Sequence, residues 1–248
     1  MSEQIPNPVA SLAPAEHTKT GLDQGWDQLG RAGGWWTGAE RIAIAQEKRA
    51  AQNCALCRDR KAALSPYSVY DQKHESPTTL ADPVVDVIHR IMSDPGRLSQ
   101  RWYDDAIESG VSAEQLVEIT SIIGFVTIAD TLSRALSIPQ RPFPEAQDGE
   151  PHRQVEAGTK IDRAWVPMVE IEQAEGLLEM MYTQIAETAG FVFNVGRCLT
   201  AVPEAVRDFF SAFLPNYTTH GPVSAGGLNR SQVELLSCST SAWNDCFY

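Results

Sequence analysis

Thr37-Gly38-Ala39-Glu40-Arg41-Ile42-Ala43-Ile44-Ala45-Gln46-Glu47-Lys48-Arg49-Ala50-Ala51-Gln52-Asn53-Cys54-Ala55-Leu56-Cys57 is the stretch on which the fold class turns. From Ala39 to Leu64 the chain is rich in alanine and has neither glycine nor proline, with apolar residues at Ile42, Ala45, Ala50 and Leu56. This composition and spacing give a helix with Thr37 as N-cap and the Cys-x-x-Cys pair inside it. Ser65-Pro66 ends it, because a proline pushes the preceding residue out of helical geometry.

Further helices follow in the same style. Asp82-Pro83 opens one, with Asp82 as cap and Val84, Val87, Ile88 and Ile91 as its stripe, and Asp94-Pro95-Gly96 closes it. Arg97 to Ser109 and Ser112 to Leu136 read as two more, separated by Gly110, and Ser112 with Gln115 has capping-box spacing. In the second half, Ala174 to Ala186, Phe191 to Thr200, Pro203 to Phe213 and Asn229 to Tyr248 read as helices, with a loop from Pro215 to Gly227. No segment alternates as a strand would, so the expected class is all-α. Residues 1–33 read as a flexible arm, 34–138 as a first helical unit carrying the Cys-x-x-Cys, 139–160 as a proline-rich linker and 161–248 as a second helical unit.

Composition removes several function classes. The chain has 248 residues, 43% of them hydrophobic, and a formal net charge of −12. That is enough apolar material for a sizeable core, while the acidic balance and the lack of any Lys/Arg run argue against a nucleic-acid partner. Met1 to Thr20 lacks the basic start and apolar stretch of a secretory signal. The best apolar run, Ile119 to Ala129, falls short of the roughly 20 residues of a membrane span and carries Ser and Thr. A cytoplasmic protein without a membrane partner is expected.

Five cysteines are present, Cys54, Cys57, Cys198, Cys238 and Cys246. An odd number in a reducing compartment does not suggest a disulfide framework. Cys54-Ala55-Leu56-Cys57 points to redox chemistry or metal binding. Arg58, Arg60 and Lys61 supply positive charge beside it, and Glu47 lies two turns before Cys54, roughly on its face. A zinc site needs two further ligands, and with no second Cys-x-x-Cys or paired His the expectation is redox, with no metal and no cofactor. The histidines His17, His74, His89, His152 and His220 are scattered, and His89 reads as a packed helix residue. Cys198 and Cys238 read as small buried hydrophobes.

A faint internal repeat joins the halves. Gln115-Leu116-Val117-Glu118 is followed twelve residues later by Asp130, and Gln232-Val233-Glu234 is followed twelve residues later by Cys246. Glu118 and Asp130 are then either a degenerate copy of an active unit or a solvated helix face. The C-terminal pattern, Leu228-x-x-x-Gln232-x-Glu234 and then Cys246 before the aromatic pair Phe247-Tyr248, resembles the alkylhydroperoxidase D / carboxymuconolactone decarboxylase superfamily. The stretch Val202-Pro203-Glu204-Ala205-Val206 through Phe213 is similar to the helix that precedes this motif in its peroxidase-related members.

The resemblance implies two alkylhydroperoxidase-like helical units and a thiol- or selenol-dependent peroxidase or disulfide oxidoreductase. It implies a hydroperoxide substrate, a dithiol reductant and a homo-oligomer. By position, Glu234 is the relay carboxylate and Cys246 the resolving thiol. The attacking group falls one position beyond Tyr248, as in relatives that carry selenocysteine there, so the second motif is expected to be cut. Cys54 and Cys57 form the complete pair. They depart from the family pattern, with Lys61 where a His is expected and Ile42 where the Glu would stand. Two alternatives stay open: a non-enzymatic binding or assembly protein with degenerate sites, and a decarboxylase of a muconolactone-like acid.

Overall fold

The structure, a computed structural model, describes residues 13–213 and 228–243. Its first element is helix α1 (Glu16–Leu29), formed by residues expected in the flexible arm. Leu22, Trp26 and Leu29, spaced by four and three, share one buried face. Gly21 and Gly25 disguise that stripe, yet Gly25 is needed. A Cβ there would collide with the ring of Phe125.

Helix α2 (Gly38–Ala50) starts as expected. Thr37 Oγ1 accepts from the Glu40 N–H while the Glu40 carboxylate accepts from the Thr37 N–H. The continuous helix expected to Leu64 does not form. A single 3-10 turn at Ala51–Asn53 tightens the chain, Cys54 takes an extended conformation (φ −66°, ψ 126°), and a new helix α3 (Ala55–Ala62) begins. The cysteine pair therefore straddles a helix start. Helix α4 (Asp82–Ser93) follows an irregular segment, with Ala81 rather than Asp82 at its cap and Asp82 paired instead with Lys73 at 2.8 Å.

Helix α5 (Gln100–Glu108) is capped by Ser99, and Gly110 (φ +98°) reverses the chain in a left-handed conformation that favours glycine. The long helix α6 (Ala113–Ala135) opens on the expected Ser112/Gln115 capping box. It is apolar and long enough to cross a membrane, longer than the run read from sequence, but 67% of its most apolar window is buried within the fold.

Residues 136–158 contain no helix or strand and lie as a strap against the end of α1 and the residues that follow it. The Trp26 indole N–H donates to the Pro142 carbonyl at 2.8 Å, the Gln147 N–H to Gly30 O at 2.8 Å and the Arg153 N–H to Gly34 O at 2.9 Å. Two-residue strands β1 (Thr159–Lys160) and β2 (Met168–Val169) pair antiparallel, the one ladder among the described residues. Helices α7 (Leu177–Ala189), α8 (Asn194–Arg197), α9 (Pro203–Phe213) and α10 (Arg230–Trp243) complete an all-α fold. The helix expected over Phe191–Thr200 shrinks to the single turn α8, and the expected loop Pro215–Gly227 lies outside the described residues.

Helix α6 organises the core. Ile119, Ile122, Phe125 and Val126 enter one buried cluster with Leu22, Trp26, Ile44 and Ile88, while Val117 enters a second with Leu178, Tyr182, Val202 and Val206. Helices α2 and α4 pack on each other and on α6, and α9 packs on α6 and α1. This pairing brings the end of α2, the start of α3 and the middle of α4 to one place.

Candidate functional site

Cys54 and Cys57 are both buried thiols, 3% and 4% exposed, packed with Leu56. The helix break determines where they point. Cys54 occupies the cap position of α3 and Cys57 its first turn, so both sulfurs face the same side of a helix start. Facing them are two imidazoles that sequence reading left scattered. His74 comes from the irregular segment between Ser68 and α4, and His89 from the buried face of α4, fully enclosed. Cys54 Sγ lies 3.3 Å from His74 Nδ1, Cys57 Sγ 3.3 Å from His89 Nδ1, and Cys57 Sγ 3.7 Å from His74 Nδ1. The two rings are 4.2 Å apart, centroid to centroid.

Each imidazole is held from behind by a carboxylate. His89 Nε2 donates to Glu47 Oε2 at 2.9 Å, and His74 Nε2 to Asp86 Oδ1 at 3.0 Å. Those bonds place a hydrogen on Nε2 of each ring, so that a neutral ring presents Nδ1 as its free position and a protonated one donates from it. The carboxylates are anchored in turn. Glu47 accepts from the hydroxyls of Ser76 and Thr78, and Asp86 from the Arg60 guanidinium. Two chains result, Cys57–His89–Glu47 and Cys54–His74–Asp86. Glu47, expected on the face of Cys54, reaches Cys57 through His89.

The electrostatics differ between the two chains. Burial presses the Glu47 carboxyl upward, but hydrogen bonds from Ser76, Thr78 and His89 outweigh it and hold the group below its ordinary value. Burial also lowers His89, with the neighbouring His74 adding to it against the pull of Glu47, so His89 is a neutral ring. His74 behaves oppositely. Burial would lower it, yet its bonds to Asp86, Cys57 and Cys54 raise it to about 10. Asp86, raised by burial alone, is brought to about 2 by His74 and Arg60. Burial likewise raises the Cys54 thiol, but the bond from His74 and those from Cys57 carry it below its ordinary value. One chain thus holds a neutral base and the other an imidazolium beside a thiol that ionises readily.

The flanking cations act less directly than expected. Arg58 donates to the Asn53 carbonyl at 2.7 Å and Arg60 is committed to Asp86. Lys61 and Arg58 do border a cleft whose wall includes Cys57, together with Lys48, Arg134 and Asp130. Cys57 is the sulfur that this cleft reaches.

The other candidate positions fare differently. Glu234 lies on α10, which buries none of its side chains, and is ion-paired with Arg230 one turn away. Cys246, its expected partner, lies outside the described residues, as does His220. Cys198 is half-buried with its thiol raised by burial and donates to the Val195 carbonyl at 3.1 Å, while Cys238 is exposed rather than buried.

Glu118 and Asp130 are buried rather than a solvated helix face, and Asp130 borders the cleft that Cys57 lines. Glu118, completely enclosed, accepts from the Arg41 guanidinium and from the Trp35 N–H at 2.8 Å. Asp130 holds Lys48 at 2.9 Å and Arg49 at 2.7 Å. Comparison with family models, with curated proteins and with solved structures finds no match for this chain.

Proposed function

We propose that Cys54 and Cys57 form a dithiol that is oxidised to a disulfide by a hydroperoxide and restored by an external dithiol. The observation that carries this reading is that each sulfur has its own imidazole Nδ1 at 3.3 Å and each imidazole its own carboxylate. A nucleophile, a base and a group that orients the base form the arrangement that activates a thiol.

Cys57 is the attacking sulfur, since it borders the cleft. Its proton passes to His89 Nδ1, and the thiolate attacks one oxygen of the hydroperoxide. The O–O bond breaks, the departing alkoxide takes the proton back from His89 as an alcohol, and Cys57 is left as a sulfenic acid. Cys54, as thiolate beside the His74 imidazolium, then attacks the Cys57 sulfur. The S–S bond forms, and the hydroxide released takes a proton from His74 to become water. Two thiols and one hydroperoxide become one disulfide, one alcohol and one water.

This is the reaction class implied by the sequence's resemblance to the alkylhydroperoxidase D-like proteins, carried out by Glu47, His74 and His89 instead of the Glu and His positions of that pattern. Thiol titration of the reduced protein with and without hydrogen peroxide tests it, on wild type and on Cys54→Ser. Wild type should lose both thiols per peroxide consumed, while Cys54→Ser should stop at the sulfenic acid. Thiol loss no faster than in the unfolded chain would sink the proposal.

A further inference from the structure

We infer that the same four side chains, Cys54, Cys57, His74 and His89, form a tetrahedral binding site for a zinc ion. Their four donor atoms all lie within 4.8 Å of one another. Zinc bonds of about 2.3 Å to sulfur and 2.0–2.1 Å to nitrogen place tetrahedral ligands about 3.3–3.8 Å apart. The sulfur–nitrogen separations of 3.3, 3.3 and 3.7 Å fall in that range.

The donor chemistry points the same way. Two thiolates neutralise a divalent ion, and two neutral imidazoles complete the Cys2His2 set that zinc favours, so binding releases to solvent the protons that the thiols and the His74 ring still carry. Both rings turn Nδ1 inward because Nε2 is tied to a carboxylate, Glu47 or Asp86. Carboxylates behind ligating imidazoles are what orients histidine at zinc centres. A water-filled or catalytic site leaves a position open, whereas this one offers four protein donors, three of them from buried residues.

The ligands come from three places: the α2–α3 break, the irregular segment before α4, and α4 itself. A bound ion therefore fastens that segment, which lacks helix and strand, onto two helices. The inference does not require the redox cycle proposed above, but it constrains it. Both sulfurs cannot ligate zinc and bond to each other, so oxidation of the pair by hydroperoxide, with two protons taken up to give alcohol and water, releases the ion.

The test uses the full chain, reduced, stripped with a chelator and reloaded with zinc or cobalt(II), then freed of excess metal by gel filtration. One metal per chain is expected, with the visible spectrum of tetrahedral cobalt and thiolate-to-cobalt charge transfer. Cys57→Ser should abolish that spectrum while Cys238→Ser keeps it. Asp86→Asn, which alters only a partly exposed residue behind His74, should weaken zinc affinity about 10–100-fold, so the site remains testable if Cys57→Ser does not fold. No retained metal, an octahedral spectrum, or an unchanged affinity in Asp86→Asn would overturn the inference. Peroxide consumption by the stripped protein is measured in parallel. Metal binding without thiol oxidation leaves the zinc site standing and removes the redox proposal, and the converse separates them the other way.

Discussion

Replacing Arg41 by Met removes the cation at the centre of the fold. Arg41 is 2% exposed and donates through Nη1 to Glu118 on α6 and through Nη2 to Asp208 on α9, so one guanidinium ties α2 to both helices. Met fills much of the volume but leaves two buried carboxylates short of a partner. Asp208 keeps Arg207, whose Nε donates at 2.9 Å, and Glu118 keeps, among the described residues, the Trp35 N–H. Breaking a buried ion pair on one side costs about 3–5 kcal/mol, a large share of the roughly 5–15 kcal/mol by which a domain is stable.

The loss should depend on pH in a defined direction. Burial already raises Glu118 above its ordinary value, with Arg41 opposing, so without Arg41 it rises further. A carboxyl whose folded pKa is raised favours the folded state below its unfolded pKa and loses that advantage as pH rises through the folded one. The deficit of Arg41→Met relative to wild type should therefore be largest near neutrality and shrink in acid. Urea unfolding followed by tryptophan fluorescence at several pH values measures it. A deficit below about 0.5 kcal/mol at pH 7, the range of ordinary surface changes, would refute this account of the core.

Other outcomes follow from single contacts. Gly33→Ala should destabilise by about 1–3 kcal/mol in chemical denaturation, because a Cβ at Gly33 would strike the Glu118 carboxylate and the Arg41 guanidinium, neither of which has room to move. Gly110→Ala should cost about 1–2 kcal/mol for its left-handed backbone alone (φ +98°), since a Cβ there meets nothing, and a fall in thermal midpoint of a few degrees would report it. Asp86, held at about 2 against an ordinary 3.8, contributes stability that is present above pH 3.8 and lost as pH falls toward 2. In the metal-free protein, whose Asp86 faces His74 and Arg60, Asp86→Asn should flatten the acid limb of the stability profile over that interval.

What could be read in advance was local. The Thr37 cap and the Ser112/Gln115 box were expected from neighbouring residues and both formed, and Glu40 turns the Thr37 cap into a box as well. The break at Cys54 was hidden because Ala51-Gln52-Asn53 contains no proline or glycine. The turn and α3 both pack against α4, a tertiary contact that no local pattern shows. His74 and His89 stand 17 and 32 residues beyond Cys57, in an aperiodic segment and beside an apolar stripe, and their convergence depends on tertiary contacts.

A usable signal did exist on α2. Arg41, Lys48 and Arg49 recur at seven- and eight-residue spacing near Ile44 and Ala45, so cations share a face with core residues and require buried acids. Those acids are Glu118, Asp208 and Asp130. Trp26 gave a similar hint in the expected arm, since a tryptophan between leucines four before and three after it is helical spacing.

The most direct measurement is mass-spectrometric mapping of sulfur connectivity after the reduced, metal-free protein meets one equivalent of hydrogen peroxide. A Cys54–Cys57 disulfide should form first in wild type, and slow sharply in His89→Ala, where Cys57 loses its base. Oxidation confined to Cys238 or Cys198, with Cys54 and Cys57 still thiols, would contradict the claim that two imidazoles and two sulfurs make one reactive centre.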